Sequence, residues 1–355
     1  MAVERKPLNS FKMLVKVLKD NGVLLINGCD NSKAASKFIQ HIDRAMTEKI
    51  KLILENSSFF SILSDGSQPR KTGSEKELVY VRIVKDGDPT YLCVALENID
   101  EYGHATADNL KRAIDHVFLK KIGISKEDYT KKLVSCTADG ASVNFGTYSG
   151  LLTQMSEDGR EWLLKIHCVC HRVELAFGKV LTQIKEFNEV RQFMITMYYV
   201  CKKSGKFKRQ IKVTGEAMDA TVYNFPKVHG TRFVAHQKKG LEKLLHNWLI
   251  ILTAIEDITA NTQPSKVNPK LPGLKKKLLD FNFLWHCCLY KEILDVFAEL
   301  SLSFERDQLM VSEIELNVEK ASNHLNDILE ASNEPESLIE TIAGITLEED
   351  PEVPD

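Results

Sequence analysis

Asp65 and Asp139 are the residues of this sequence whose surroundings best suit chemistry. Each closes a short apolar run and precedes a glycine, in Leu63-Ser64-Asp65-Gly66 and Thr137-Ala138-Asp139-Gly140. If the two runs are neighbouring parallel strands, both carboxylates arrive at one edge of a sheet. Hard cations such as Mg²⁺ take oxygen ligands, and two of them about 4 Å apart clamp the attacking and leaving oxygens of a phosphodiester. A third acid completes such a site. The plainer reading stands beside this one, because Asp-Gly is a common turn dipeptide that usually does no more than reverse the chain.

His167-Cys168-Val169-Cys170-His171 gathers four zinc-type ligands within five residues. Structural zinc sites want ligand pairs two to four residues apart with a second pair elsewhere, and no second pair follows. The helix-forming stretch from Arg172 puts Cys168 and His171 on the face of Leu175. The expectation is therefore a buried cluster at a helix start, under the sheet, rather than a metal site.

Lys202, Lys203, Lys206, Lys208, Arg209 and Lys212 put six positive charges within eleven residues, interleaved with Gly205 and Phe207. Such a segment suits phosphate contacts whose affinity falls with salt. It could equally be a solvated loop. Farther on, Thr231-Arg232-Phe233 places a guanidinium beside an aromatic ring, and Arg232 could pair with phosphate or with a buried carboxylate. Trp248 and Leu249 read as helix core.

The elements that must position these groups follow from periodicity. Helical spacing at Phe11, Leu14, Val15 and Leu18, and again from Phe38 to Leu54, predicts two helices within residues 1–56. Residues 59–64, 78–84 and 90–96 are β-rich runs, the last two joined by the turn Asp86-Gly87-Asp88-Pro89. A helix follows over 110–118, opened by Thr106 with Asp108 in its first turn. Then come a strand over 133–137, a helix over 148–155 and a strand over 162–166. Residues 57–166 thus spell β-β-β-α-β-α-β, a mixed α/β sheet, since each strand-helix-strand step needs a crossover.

From His167 onward the strand signal ends. Helices are predicted over 175–201, 240–258, 289–304 and 314–329, with a proline-punctuated connector over 261–272. The domain reading is an N-terminal helical segment (1–56), the sheet domain (57–166), a helical domain (167–332) and an acidic tail (333–355).

Composition bounds the function. The 355 residues are 43% apolar, enough for about two domains with real cores. The formal charge is −2, yet the tail alone holds eight acids and no lysine or arginine, which leaves +6 on the remainder. Eight cysteines, two adjacent and two a residue apart, suit no small disulfide scaffold and point to a reducing compartment. No secretory h-region follows the N-terminal charges, and the longest apolar run, 248–255, is interrupted by Thr253.

Three motifs together carry a resemblance: FFSILSDGSQ at 59–68, LVSCTADGASVNFG at 133–146 and IHCVCHRVELA at 166–176. In order and spacing they are similar to the hAT superfamily of DNA transposases, most of all its domesticated, zinc-finger-bearing host proteins. The resemblance spans residues 57–248. It implies a ribonuclease-H-like fold whose sheet is interrupted after the fifth strand by an all-α insertion domain. It also implies that Asp65 and Asp139 correspond to the first two acids of an Asp-Asp-Glu triad. Gln68 stands where a further acid is common in the family. No third acid is identified: Glu299, Glu315 and Glu319 lie on helices, but none follows an apolar stretch returning to the sheet.

With His167, Cys168 and His171 the resemblance matches a fold signature at the start of the insertion. With Arg232 and Phe233 it matches a Thr-Arg-Trp motif whose tryptophan is here phenylalanine. The function it implies is that of a transposase-derived nuclear protein, catalytically inactive, associated with DNA or with other proteins. The alternative is an active transposase subunit using Mg²⁺ or Mn²⁺ at Asp65 and Asp139. No cofactor is required by the first reading, and neither reading involves a membrane or a small-molecule substrate.

Overall fold

The computed structural model describes residues 7–25, 30–67, 73–228, 233–306 and 308–330, together with Pro335 and Leu338. The chain divides into two compact units, Met1–Cys168 and Val169–Asp355.

The first unit opens with helices α1 (Ser10–Asp20) and α2 (Ser32–Asn56), the latter capped by Asn31, whose side chain accepts the Ala34 N–H at 2.9 Å. Strands β1 (Phe60–Ser67), β2 (Lys76–Lys85) and β3 (Asp88–Asn98) form an antiparallel meander. Asp86 and Gly87 both adopt positive φ between β2 and β3, the two-residue hairpin turn whose twist matches that of the strands. Helix α3 (Ala107–His116) is capped by Thr106, as the sequence indicates, and runs on through a π-helical turn, Val117–Ile122. Then follow α4 (Lys126–Lys132), β4 (Leu133–Ala138), α5 (Ser142–Phe145), α6 (Leu151–Glu157) and β5 (Leu164–His167).

The five strands stand in the order β3-β2-β1-β4-β5, with β1 parallel to β4 and β4 parallel to β5. Alternation along β2 sends Val79, Val81 and Ile83 to one face, where they meet Phe60 and Ile62 of β1 and Cys136 and Ala138 of β4. Helices α2, α3 and α6 cover that face through Leu54, Ile114 and Leu152. Each such fully buried side chain contributes roughly 1.5–3 kcal/mol. Phe60, Phe118 and Tyr129 stack at its centre, and the Arg160 guanidinium lies 4.4 Å over the Tyr129 ring. The N-terminal helices are therefore part of the sheet's unit, since Ile50 and Leu54 of α2 belong to its core.

Among its described residues the second unit is built on α-helices: α7 (Val169–Gln183), α8 (Lys185–Lys203), α9 (Gly205–Ala217), α10 (Phe233–His246), α11 (Trp248–Asn261), α12 (Leu271–Leu279), α13 (Phe281–Phe304) and α14 (Val311–Glu330). Trp248, Phe187, Phe283 and Tyr290 sit in one continuous core.

Two long helices expected from periodicity are each divided. Extended backbone at Ile184 separates α7 from α8. At Asn247 the chain kinks because the fully buried side chain serves the neighbouring loop, accepting the Tyr223 N–H at 3.1 Å and donating to its carbonyl at 2.8 Å. The connector over 261–272 ends inside α12, with Pro272 in the first turn, where a missing N–H costs nothing. Apart from Pro335 and Leu338, the acidic tail lies outside the described residues. Among the described residues no helix is long and apolar enough to cross a membrane.

Candidate functional site

The pairing of β1 with β4 runs from Phe60 opposite Leu133 to Leu63 opposite Thr137. Two residues farther along these parallel strands come Asp65, near the end of β1, and Asp139, the residue after β4. Side-chain alternation puts both in phase with Ser61, Leu63, Ser135 and Thr137, away from the helix-covered core. On that face the Ser135 hydroxyl donates to the Ser61 oxygen at 2.6 Å. Asp65 is exposed and Asp139 half-buried.

Asp139 also shapes the chain that follows it. Its Oδ1 accepts the Ala141 N–H at 3.1 Å and the Asn144 side-chain amide at 2.7 Å, the Asx-type turn that leads into α5. The next residue is glycine, and a Cβ there would lie 2.3 Å from the His167 ring, so a larger residue would have to push that ring aside. The turn role and a strand-end carboxylate thus coexist in one dipeptide.

A third acid lies close to this pair, and sequence reasoning missed it. Glu77 is on β2, opposite Gly66 of β1, and only 5% exposed. It shares the core-facing phase of Val79, Val81 and Ile83, so a carboxylate there is legible as an inward-pointing acid from alternation alone. Its Oε1 accepts the Ser64 hydroxyl, and its Oε2 lies 3.2 Å from where a Cβ at Gly66 would sit. Burial pushes the Glu77 carboxyl from 4.5 up to about 7, against the Ser64 hydrogen bond, and the negative charges of Asp65 and Asp139 add to the rise. The three acids are therefore within electrostatic range of one another. Directly opposite Glu77 on β3 stands Glu97, also buried, its charge met by Lys121 Nζ at 2.5 Å.

These residues do not fit a two-cation centre. Glu77 points to the opposite face of the sheet from Asp65 and Asp139 and is engaged by Ser64. Among the described residues no group of three or more His, Cys, Asp or Glu is arranged to hold a metal ion.

Of the remaining sequence-derived candidates, His167 and Cys168 lie beside the end of β4 and the others elsewhere. His167 ends β5, with its ring against Gly140 and 5.3 Å from that of Phe145. The Cys168 N–H donates to the Ala138 carbonyl at 2.9 Å, while Cys170 and His171 lie in the first turn of α7. All four are half-buried, and Leu175 is 53% exposed, so the expectation of a buried cluster sharing Leu175's core face is corrected. The helix turns its core face at Phe177 and Leu181 instead.

Lys202 and Lys203 close α8, and Lys206, Lys208, Arg209 and Lys212 lie on α9, all of them exposed. The basic run is thus helix rather than solvated loop. Ser204 caps α9 through the Phe207 N–H, and Phe207 and Ile211 bury one face while the charges take the other. Arg232 and the side chain of Phe233 lie outside the described residues, as does Gln68. Trp248 is core, 1% exposed, with its indole N–H donating to the Leu278 carbonyl at 3.1 Å. Glu299 lies on α13, and Glu315 and Glu319 on α14, all in the second unit.

No family model matches this chain.

Proposed function

We propose that this chain is a transposase-derived protein of ribonuclease-H-like descent, related to the hAT superfamily, which no longer cuts DNA and serves as a nuclear, nucleic-acid-associated factor. The observation that carries the reading is the sheet. A meander followed by two parallel strands in the order β3-β2-β1-β4-β5, with aspartates at the ends of neighbouring β1 and β4, is the arrangement that a ribonuclease-H-like ancestor would leave. The loss of cleavage follows from the third acid. Glu77 is buried behind the sheet and near neutrality, and two carboxylates on the open face hold two divalent ions poorly.

Association with nucleic acid is supported by the exposed cationic face at the end of α8 and along α9. Other proteins are further partners of a factor of this kind. The reading predicts that filter binding of the full chain to DNA weakens steeply with salt, because each phosphate neutralised by lysine or arginine releases counterions. Charge-reversing Lys208→Glu and Arg209→Glu together should flatten that slope. An affinity for DNA that is absent, or the same at 50 and 200 mM salt, would leave a pure protein-interaction scaffold in its place.

A further inference from the structure

The basic face of α9 is one wall of a cleft in the second unit. Lys208, Arg209 and Lys212 stand one and three residues apart on α9 and line the cleft together with Ile211, whose buried side chain forms part of its floor. Across from them the chain after α9 brings up exposed Tyr223 and half-buried Phe225, which also packs on the helical core, and the last turns of α8 supply Tyr198. The cleft is about 790 Å³, within the range of ligand pockets, which is roughly 300–1,000 Å³.

Its chemistry is two-fold. One wall is cationic: among the described residues no carboxylate pairs with Lys208 or Arg209, and Lys212 alone meets Glu216, at 3.5 Å. The other is aromatic and held in place. Asn247 grips the Tyr223 backbone from both sides, and the Tyr223 ring packs edge-on against His246 at 4.6 Å, with Lys243 5.9 Å from its centroid. Lys202 likewise stands 5.7 Å from the Tyr198 ring.

We infer that this cleft takes one unpaired nucleotide of a single-stranded nucleic acid, its base against Tyr223, Phe225 or Tyr198 and its phosphates on Lys208, Arg209 and Lys212. Aromatic faces beside a line of cations are what successive bases and phosphates of an open strand require. A duplex keeps its base faces stacked inside, so it could use the cations but not the rings. An acidic peptide would answer the charges and leave the rings unused. The inference rests on the nucleic-acid reading above and deepens it by assigning the strand form and the contact.

The test is fluorescence anisotropy of the full chain with a labelled oligothymidylate and with a labelled duplex, at several salt concentrations. The expected result is tighter binding of the single strand and a loss of roughly tenfold in that affinity in Tyr223→Ala, with duplex affinity unchanged and Tyr223→Phe close to wild type. Tyr198→Ala gives an independent reading should Tyr223→Ala fail to fold. The exposed pair Lys208→Ala and Arg209→Ala should weaken both probes and reduce the salt slope. Salt-dependent binding that ignores the tyrosine substitutions would overturn the cleft while leaving the broader reading intact, as would displacement by polyglutamate as readily as by unlabelled oligothymidylate. Absence of any salt-dependent binding would overturn both.

Discussion

Glu77→Gln will make the sheet unit less sensitive to pH, leaving its stability near wild type at pH 4.5 and raising it on the order of 3 kcal/mol at pH 8. The sign follows from the direction of the shift. Unfolded, the Glu77 carboxyl ionises near 4.5; folded, it holds its proton to about 7, because burial disfavours the anion and Asp65 and Asp139 repel it. Below 4.5 both states are neutral and Glu77 makes no difference. Between 4.5 and about 7 the unfolded chain ionises while the folded one does not, so stability falls as pH rises. Above 7 the full cost of an anion behind the sheet is present.

Glutamine has the same shape, its carbonyl can still accept the Ser64 hydroxyl, and it never ionises. Glu97 faces Glu77 across the strands but already has Lys121, so the difference between wild type and variant isolates Glu77. Hydrogen exchange of the β1 and β2 amides at pH 5 and pH 8 reads it within the right unit. Parallel behaviour of the two proteins across that range would mean that the carboxyl is not buried as described.

The second large effect is Trp248→Ala, which should cost the helical unit about 3–5 kcal/mol, with roughly 1 kcal/mol more from the Leu278 carbonyl that loses its donor. Trp248 is 1% exposed and packs 6.1 Å, centroid to centroid, from Phe283. Trp248→Phe keeps most of the packing and should cost distinctly less, with nucleic-acid binding unaffected. Urea unfolding followed by circular dichroism measures both, since it does not depend on the fluorophore removed. A loss below about 1 kcal/mol in Trp248→Ala would contradict the core placement.

The order of strands and helices in residues 57–166 was legible because alternation in β2 and apolar runs in β1 and β4 are strong local signals. What was illegible has physical causes. Apolar periodicity continues through Ile184 and Asn247, so the division of α7 from α8 and of α10 from α11 leaves no mark in the pattern. Asn247 is called away from its helix by a backbone 24 residues distant in sequence. Helix α4 carries Tyr129 as its one buried residue, too little for a periodic signal.

Other features carry their signal beneath a stronger one. Ser204 with Phe207 and Ile211 spells a capped amphipathic helix, a signal masked by six charges that suit a phosphate-contacting segment and a solvated loop equally. Leu271, Leu274 and Leu278 mark α12 beneath its proline. Glu77 occupies a valine phase of β2, and an acid in such a phase is the clearest pointer to a residue with an altered proton affinity.

The most direct test of the proposal that this chain descends from a transposase and does not cut DNA is incubation of the full chain with supercoiled plasmid in Mg²⁺ or Mn²⁺, read as conversion to nicked circle. The account predicts that the plasmid stays supercoiled, with wild type and Asp65→Ala indistinguishable. Nicking by the wild type that vanishes in Asp65→Ala would contradict it.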